Sequence, residues 1–205
     1  MEHIAVIVTS LSTLIMGILA GWFAYNQKTK DALTDQKIKQ IEDERIRASR
    51  TENRHAAFIY GELFRILYEL KADRVYIVQP HPEKKKLFLS IIFEVNNPGV
   101  SPMRDVFNNV PISDVPLYAK ELSTTNCIWH DYKKGIVPDD KKALSLMRTS
   151  GSMNTIIYQL KSIENDWVGS LFIERTSGDA YEIEKVKGNA EMTVNSIQYI
   201  LPPIN

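Results

Sequence analysis

The strongest constraint on this 205-residue chain is an apolar run near its start, residues 4–25 of MEHIAVIVTSLSTLIMGILAGWFAYNQKTK. No acidic or basic side chain other than His3 lies between Glu2 and Lys28. As a helix the run is about 33 Å long, enough to cross a hydrocarbon core of about 30 Å. A secretory signal would need a basic start and a shorter core, and a buried helix would need a larger protein. Residues 1–27 are therefore predicted to be a transmembrane anchor in the lipid bilayer.

The charges that flank this run predict its orientation. No Lys or Arg precedes it, whereas Lys28, Lys30, Lys37 and Lys39 follow it closely. Because cytoplasmic flanks carry the excess of basic residues, this asymmetry predicts a single-pass protein whose C-terminal domain is cytoplasmic.

One face of the run carries small residues at a spacing typical of helix pairing. Thr13, Gly17 and Gly21 recur every four residues, and small side chains let two membrane helices approach closely. The spacing predicts self-association and hence a homo-oligomer. The competing interpretation is that glycine is simply common in membrane helices.

The rest of the chain divides into a charged stretch and a domain. Residues 28–51 contain no Gly or Pro and are rich in charged helix formers, so we expect a solvated helical stalk. Lys plus Arg and Asp plus Glu both number 25, so no basic surplus points to nucleic acid. The single cysteine, Cys127, excludes an internal disulfide and is predicted to be a small buried hydrophobe.

Residues 52–205 predict an α+β domain, an antiparallel sheet with flanking helices. The first helix has an apolar stripe that ends near Lys71, formed by Ala56, Ile59, Leu63, Ile66, Leu67 and Leu70. Strands are predicted at residues 74–79, 87–95, 127–131, 153–161 and 167–174, with Pro80 and Pro82 in the first turn. Three further helices are predicted. One covers residues 115–122, one begins after an N-cap at Asp139, and one runs from residue 183 until Pro202 ends it. Short turns require antiparallel pairing, and the two terminal helices would cover one face of the sheet.

This order of elements resembles the GAF fold, which is close to PAS. ELKADRVYIVQ is similar to the GAF opening, where a helix leads into the first hairpin. NDWVGSLFIE is similar to the closing strand, with a Gly after an aromatic and an aliphatic residue. The resemblance covers residues 51–201 and implies a module that binds a small ligand, dimerises or acts as a spacer. No Cys matches the bilin-attaching kind and no NKFDE-like motif is present, so no cofactor is predicted.

A second resemblance is to the T-even phage holin family, which combines one anchor, a charged helical stretch and a soluble α/β domain. ERIRASRTENRHAAFIYGELFRILYELKADRVYIV is similar to the segment that joins anchor and domain there. The family has a longer cytoplasmic N-terminus and an external C-terminal domain. This chain departs from it in two ways: the segment before the apolar run is short, and the flanking charges predict a cytoplasmic C-terminal domain. The resemblance implies a lysis protein with a soluble regulatory domain.

The sequence contains no pattern typical of a catalytic or metal site. His3, His55, His81 and His130 are scattered without partner ligands. His130 and Asp131 are neighbours on a predicted strand, so they point to opposite faces and do not orient one another as in a triad. No Walker or G-x-S-x-G pattern occurs. We therefore expect a protein that is not an enzyme and holds no metal.

Aromatic residues on the predicted strands suggest a ligand pocket. Tyr76, Phe93, Trp129 and Tyr158 are predicted to line a cavity between the sheet and the irregular middle of the domain, unless they are ordinary core. The leading hypothesis is a membrane-anchored, non-enzymatic GAF-like sensor or scaffold, and the alternative is a holin-type lysis protein. The sequence names neither the ligand nor a protein partner.

Overall fold

The computed structural model describes residue 37, residues 39–178, residue 181 and residues 183–202. Among these residues no helix is both long enough and apolar enough to cross a membrane. The predicted anchor, with Thr13, Gly17 and Gly21, lies outside the described residues. The chain separates into two compact units, Met1–Thr51 and Glu52–Asn205.

In the first unit, residues 39–51 form a helix whose side chains are all exposed. Even its large apolar residues face solvent, since Ile41 and Ile46 are 51% and 50% exposed. This is the solvated surface expected of a helix built from charged residues.

The second unit is an α+β domain around one six-stranded antiparallel sheet. Its helices are α1 (residues 52–69), α2 (Pro116–Thr124), α3 (Lys141–Thr149) and α4 (Ile183–Ile197). Its strands are β1 (Arg74–Glu83), β2 (Lys86–Asn96), β3 (Val110–Pro111), β4 (Cys127–Asp131), β5 (Asn154–Lys161) and β6 (Trp167–Arg175). The strand order is β3-β2-β1-β6-β5-β4. The predicted α+β class, with an antiparallel sheet and flanking helices, is confirmed.

The sheet is buried on both faces. One face is covered by α1 and α4, and the core on that side includes Leu63 and Leu67 of α1 with Val186 and Ala190 of α4. The other face is covered by the segment between β2 and β5, where α2 and α3 supply Tyr118, Leu122, Ala143 and Met147. The alternation of β5 divides its residues between the two cores, since Ile156 faces the first and Ile157 the second. We call these the helix-covered face and the middle-covered face.

The first hairpin differs from its prediction at the two prolines. Pro80 and Pro82 were assigned to a turn, but β1 continues through both to Glu83, and the turn is confined to residues 84–85. β1 pairs with β6 only as far as Val78, so beyond that residue one edge of β1 is open. Proline has no backbone N–H to donate. At an open edge this costs no hydrogen bond between strands, so proline is tolerated there.

The start of α3 differs by one residue from its prediction. Asp140, not Asp139, is the N-cap residue, and its side chain makes no cap hydrogen bond. Its carboxylate instead accepts a hydrogen bond from the backbone N–H of Tyr118, at 2.6 Å. The side chain therefore joins α3 to the first turn of α2.

Gly169, in the segment that resembles the GAF closing strand, is required by a close approach of two strands. A Cβ atom at this position would lie 2.8 Å from the carbonyl oxygen of Val78. Real Cβ atoms do not approach backbone oxygen so closely, so only glycine lets β6 continue beside β1 here.

The prediction that Cys127 is buried is wrong. Cys127 is exposed, because it is the first residue of β4, and β4 is an edge strand of the sheet. An edge position leaves one side of the strand without a neighbour.

Candidate functional site

The four aromatic residues predicted to line one pocket lie on different faces of the sheet. Tyr76 is fully buried on the middle-covered face, where its ring stacks on Phe172 at 4.7 Å. Phe93 and Tyr158 belong to the helix-covered core, and Trp129 packs against that core. The structure therefore does not bring the four rings together between the sheet and the middle segment.

Two open grooves flank the C-terminal residues Leu201 and Pro202. One, of about 350 Å³, is lined by Phe93, Ala56 and Ile59 among others. The second, of about 340 Å³, includes Gln79 and Gln198. The side-chain amide of Gln79 donates to the Val168 carbonyl, and Gln198 accepts from the Lys161 backbone N–H. The side-chain amides of Gln79 and Gln198 in the second groove are therefore already engaged within the protein.

The middle-covered face holds a group of buried polar side chains that none of the predictions included. We call it the polar cluster, and it consists of Arg74, Tyr76, Tyr118, His130, Tyr132 and Glu174. β1, β6 and β4 supply residues at one end of the sheet, α2 supplies Tyr118, and Tyr132 directly follows β4.

Arg74 and Glu174 form an ion pair that is wholly removed from solvent. The guanidinium Nε donates to Glu174 Oε2 at 3.0 Å, and both side chains are 0% exposed. The same guanidinium donates to the Ser101 carbonyl at 2.9 Å and to the Ser150 and Ser152 hydroxyls at 3.2 and 3.4 Å. Arg74 therefore joins the sheet to the loop after β2 and to the end of α3, and four of its five N–H groups have acceptors.

Glu174 is the acidic member of the cluster. Burial raises the pKa of its carboxyl group to about 7, against the opposing effect of the Arg74 guanidinium. A hydrogen bond with the Tyr76 hydroxyl also acts to lower this pKa. The pKa is raised overall, so the effect of removing the carboxyl group from water is larger than the opposing effect of the Arg74 charge.

The three phenols of the cluster are held in their protonated form. Burial raises the pKa of Tyr76, Tyr118 and Tyr132 far above the usual phenol value, and the negative charge of Glu174 adds to the effect in each case. A phenol that keeps its proton is a hydrogen-bond donor. The Tyr132 hydroxyl lies near enough to Thr155 for that residue to act on its pKa, and the buried Tyr118 hydroxyl has no hydrogen-bond partner.

His130 completes the cluster at the edge of the sheet. It is 2% exposed, and its ring centroid lies 6.1 Å from both the Tyr118 and the Tyr132 ring centroids. Its Nε2 faces Glu121 Oε1 at 3.6 Å, and its Nδ1 is buried without a hydrogen-bond partner. Asp131 is bonded elsewhere, to the backbone N–H groups of Lys133 and Lys134, so the two neighbours do not form a catalytic pair.

The cluster has the chemistry of a binding site. It contains no Ser or Cys nucleophile beside a base, which acyl transfer would need. Over the described part of the chain, no group of three or more His, Cys, Asp or Glu side chains is placed to hold a metal ion. What the cluster offers is a set of phenol donors, an imidazole nitrogen and aromatic rings packed together on one face of the sheet.

Sequence patterns carried only a faint signal for this cluster. Arg74 and Glu174 each adjoin an apolar stretch of their strand, residues 75–78 and 171–173, a position where an unpaired charge is costly. They are 100 residues apart, and their pairing depends on the register of β1 against β6, in which they lie directly opposite each other.

No protein-family model and no curated protein matches this sequence. Among solved structures, the chain is similar to a phycocyanobilin-bound GAF domain from a cyanobacterial phytochrome, at TM-score 0.58 and 17% identity over 70% of this chain and 82% of that one. A phycoerythrobilin-bound GAF domain from a cyanobacterial phytochrome gives TM-score 0.58 and 18% identity over 76% and 89%. The chain is also similar to the GAF domain of Thermosynechococcus elongatus PixJ in its blue-light absorbing form. The TM-score is 0.53 and the sequence identity 15%, over 72% of this chain and 88% of that one. The TM-scores show that the domain has a GAF-like fold. The comparisons lend no support to the resemblance to holins.

Proposed function

We propose that this protein is a non-enzymatic sensory module whose polar cluster binds a small ligand. The observation that carries the proposal is a group of buried polar atoms without hydrogen-bond partners on one face of a GAF-like core, the Tyr118 hydroxyl and the His130 Nδ1 among them. Buried polar atoms in native proteins are nearly always bonded, and an unbonded one costs about 1–3 kcal/mol. A polar ligand at this face would remove that cost.

The neighbours of known structure support a ligand-binding role for a domain of this fold. Two of them are GAF domains described as bound to phycocyanobilin and to phycoerythrobilin. This chain shares their fold at 17% and 18% identity, so their ligands are not carried over to it. The proposal takes from them only that this fold accommodates small molecules.

The membrane part of the proposal rests on the sequence. Residues 1–27 anchor the protein in the bilayer, and the basic residues that follow keep the domain in the cytoplasm. Thr13, Gly17 and Gly21 pair two anchors in a homo-oligomer, so that ligand binding in one domain is presented beside a second copy.

Ligand binding is tested by comparing the purified full chain in detergent with a Tyr118→Phe/His130→Leu variant. The wild type is expected to retain a small molecule that mass spectrometry detects after denaturation, or to gain thermal stability from a member of a metabolite library. The variant should do neither. A wild type that carries nothing and responds to no compound contradicts the proposal.

Topology is tested with a membrane-impermeant thiol reagent on intact bacterial cells. Cys127 is exposed and can serve as the reporter, although partial burial raises the pKa of its thiol and calls for labelling above pH 8. A Ser49→Cys variant in a Cys127→Ser background gives a second exposed reporter. We expect labelling only after lysis. Labelling of intact cells, together with loss of the membrane potential, would favour the holin-type alternative.

A further inference from the structure

We propose that the solvent-facing side of α1 is an interface with a second copy of this chain, in which two α1 helices pack antiparallel and cross at Gly61. α1 covers the face of the sheet opposite the polar cluster, so this interface does not depend on a ligand there. Three features of α1 support it: an exposed apolar stripe, a glycine within that stripe, and groups placed symmetrically about the glycine.

The side of α1 that faces away from the sheet is apolar. Ala57, Gly61, Phe64 and Tyr68 recur at intervals of three and four residues, so they form one stripe along the helix, and all four are exposed. We call it the outer stripe. The Phe64 and Tyr68 rings stack on each other, and Tyr68 is 70% exposed. A helix that covers a core normally presents polar residues on its other side, and an exposed apolar surface there is typical of an interface.

Gly61 has no role in packing within the domain. Glycine is less favourable than alanine in the interior of a helix, and a Cβ atom at this position would meet no atom within 4 Å. Gly169, by contrast, is required by a strand contact inside the domain. A helix from a second copy that crosses α1 at Gly61 can approach closely, because no side chain separates the two backbones.

The aromatic groups of α1 are placed symmetrically about Gly61. Phe58 lies three residues before it and Phe64 three residues after it, and both are exposed. In an antiparallel pair that crosses at Gly61, Phe58 of one copy is therefore level with Phe64 of the other. Arg54 and Tyr68 lie seven residues to either side, so a guanidinium comes level with an aromatic ring that it can contact. A surface whose two halves complement each other is what an isologous interface between identical chains requires.

The charges at the ends of the outer stripe favour the antiparallel orientation. Arg54 and Glu69 are exposed and lie about 10 and 12 Å from Gly61 along the helix, in opposite directions. Antiparallel packing brings Arg54 of one copy beside Glu69 of the other, twice in each dimer. Glu69 accepts a hydrogen bond from Arg65 of its own helix, and its carboxylate can accept a second donor. Parallel packing would instead bring each charge level with the same charge of the other copy.

Cysteine cross-linking of the full chain in bacterial membranes tests the geometry. Differently tagged Arg54→Cys and Tyr68→Cys variants are expressed together in a Cys127→Ser background, because Cys127 is itself exposed. We expect a product that joins the two tags, since the two positions are level in the antiparallel pair. In a parallel pair they are about 21 Å apart along the helix, and only like tags would be joined. Leu117→Cys, at an exposed position of α2, is the control for random collisions.

Each outcome of the cross-linking decides one point. Products between like tags alone overturn the antiparallel arrangement. Yields no higher than those of the Leu117→Cys control overturn the interface, whether α1 then faces lipid or a different protein.

Charge reversal and an apolar-to-acidic change test the contacts, with the Kd of self-association measured by sedimentation in detergent. Arg54→Glu should raise this Kd at least about fivefold, and the Arg54→Glu/Glu69→Arg double variant should restore it, because opposite charges meet again. Phe64→Glu should raise it at least about tenfold, and the matched Leu117→Glu should leave it unchanged. An unchanged Kd in Arg54→Glu and Phe64→Glu overturns the interface and leaves pairing to the predicted anchors. Should Phe64→Glu not fold, the cross-linking and the charge reversal still decide.

Discussion

The two faces of the sheet are equally buried but differ in what they bury. The helix-covered face packs apolar residues of α1 and α4 on apolar strand residues, and among the described residues no buried ion pair lies in that core. The middle-covered face has an apolar core too, with Val78, Leu89 and Phe107, but one end of it holds the polar cluster. Apolar contacts contribute to stability in proportion to area, whereas a desolvated charge is costly unless its partners are complete.

The difference suggests a division of roles between the faces. Amphipathic helices cover the first face by local periodicity, and its residues serve mainly to stabilise the fold. The second face is covered by short elements and loops, which bring polar residues from distant parts of the chain into contact. Loops and short elements placed on a rigid sheet are where binding sites usually occur. The predictions below compare the faces, beginning with the largest effect.

Arg74→Met is expected to be the most destabilising change. It removes the cation paired with the buried Glu174 and releases three other hydrogen bonds, at a cost of about 3–5 kcal/mol. Thermal unfolding of the full chain followed by near-UV circular dichroism measures the loss. Arg148→Met, on the exposed side of α3, is the control and should change stability by less than about 0.5 kcal/mol. Equal effects would mean that Arg74 is not structurally special.

Leu63→Ala probes the helix-covered face. Leu63 is 0% exposed in the core under α1, so the deletion leaves a cavity and should cost about 3 kcal/mol. The neighbouring Phe64 is 43% exposed, and Phe64→Ala should cost clearly less. The same unfolding experiment compares the two variants.

Glu174→Gln should alter the pH dependence of stability. The folded-state pKa is raised from 4.5 to about 7, so the folded protein binds this proton more tightly than the unfolded chain. In the wild type, the contribution of this group to the free energy of unfolding is therefore complete below pH 4.5. It is lost as the pH rises towards 7, and the loss amounts to up to about 3 kcal/mol. Gln cannot ionise, so the variant lacks this slope.

The measurement is thermal unfolding of both proteins from pH 5 to pH 8. The difference in stability should move in favour of the Glu174→Gln variant as the pH rises. Parallel curves would show that Glu174 is ionised throughout, with an ordinary pKa, and would make the ion pair a stabilising feature of the middle-covered face.

Tyr118→Phe should have the smallest effect on the free protein. The lost hydroxyl is buried without a hydrogen-bond partner, so its removal should change stability by less than about 1 kcal/mol, in the stabilising direction. Unfolding without ligand measures this. A loss above 2 kcal/mol would mean that the hydroxyl already has a partner and that the proposed recognition group is part of the core.

Local patterns in the sequence were sufficient for most of the elements. β4 was predicted at residues 127–131 and is observed as Cys127–Asp131, because a short apolar strand between polar turns is defined by its own residues. The stripe of α1 also faces the core as predicted, since Ile59, Leu63, Ile66 and Leu67 are all buried. Helix and strand periods are local properties, so a single sequence is enough to recognise them.

Other features depended on which segments meet. The period of two shows that Tyr76 and Phe93 each have one buried side, but it does not show which of two covered faces each residue enters. That depends on the pairing of Ile77 with Phe93 and on the irregularity that follows Ile77, which place the Tyr76 and Phe93 side chains in separate cores. The exposure of Cys127 likewise follows from the edge position of β4.

The polar cluster was decided by tertiary structure alone. The sequence by itself determined that Arg74 and Glu174 each adjoin an apolar stretch of their strand, and nothing local to either residue indicates the other. Their contact exists because β1 lies antiparallel beside β6 in a register that sets the two residues opposite each other. Tyr118 and His130 join them because α2 packs over the same end of the sheet. Periodicity along a chain encodes burial, but the partner of a buried polar group is set by strand register and packing, which only the folded protein defines.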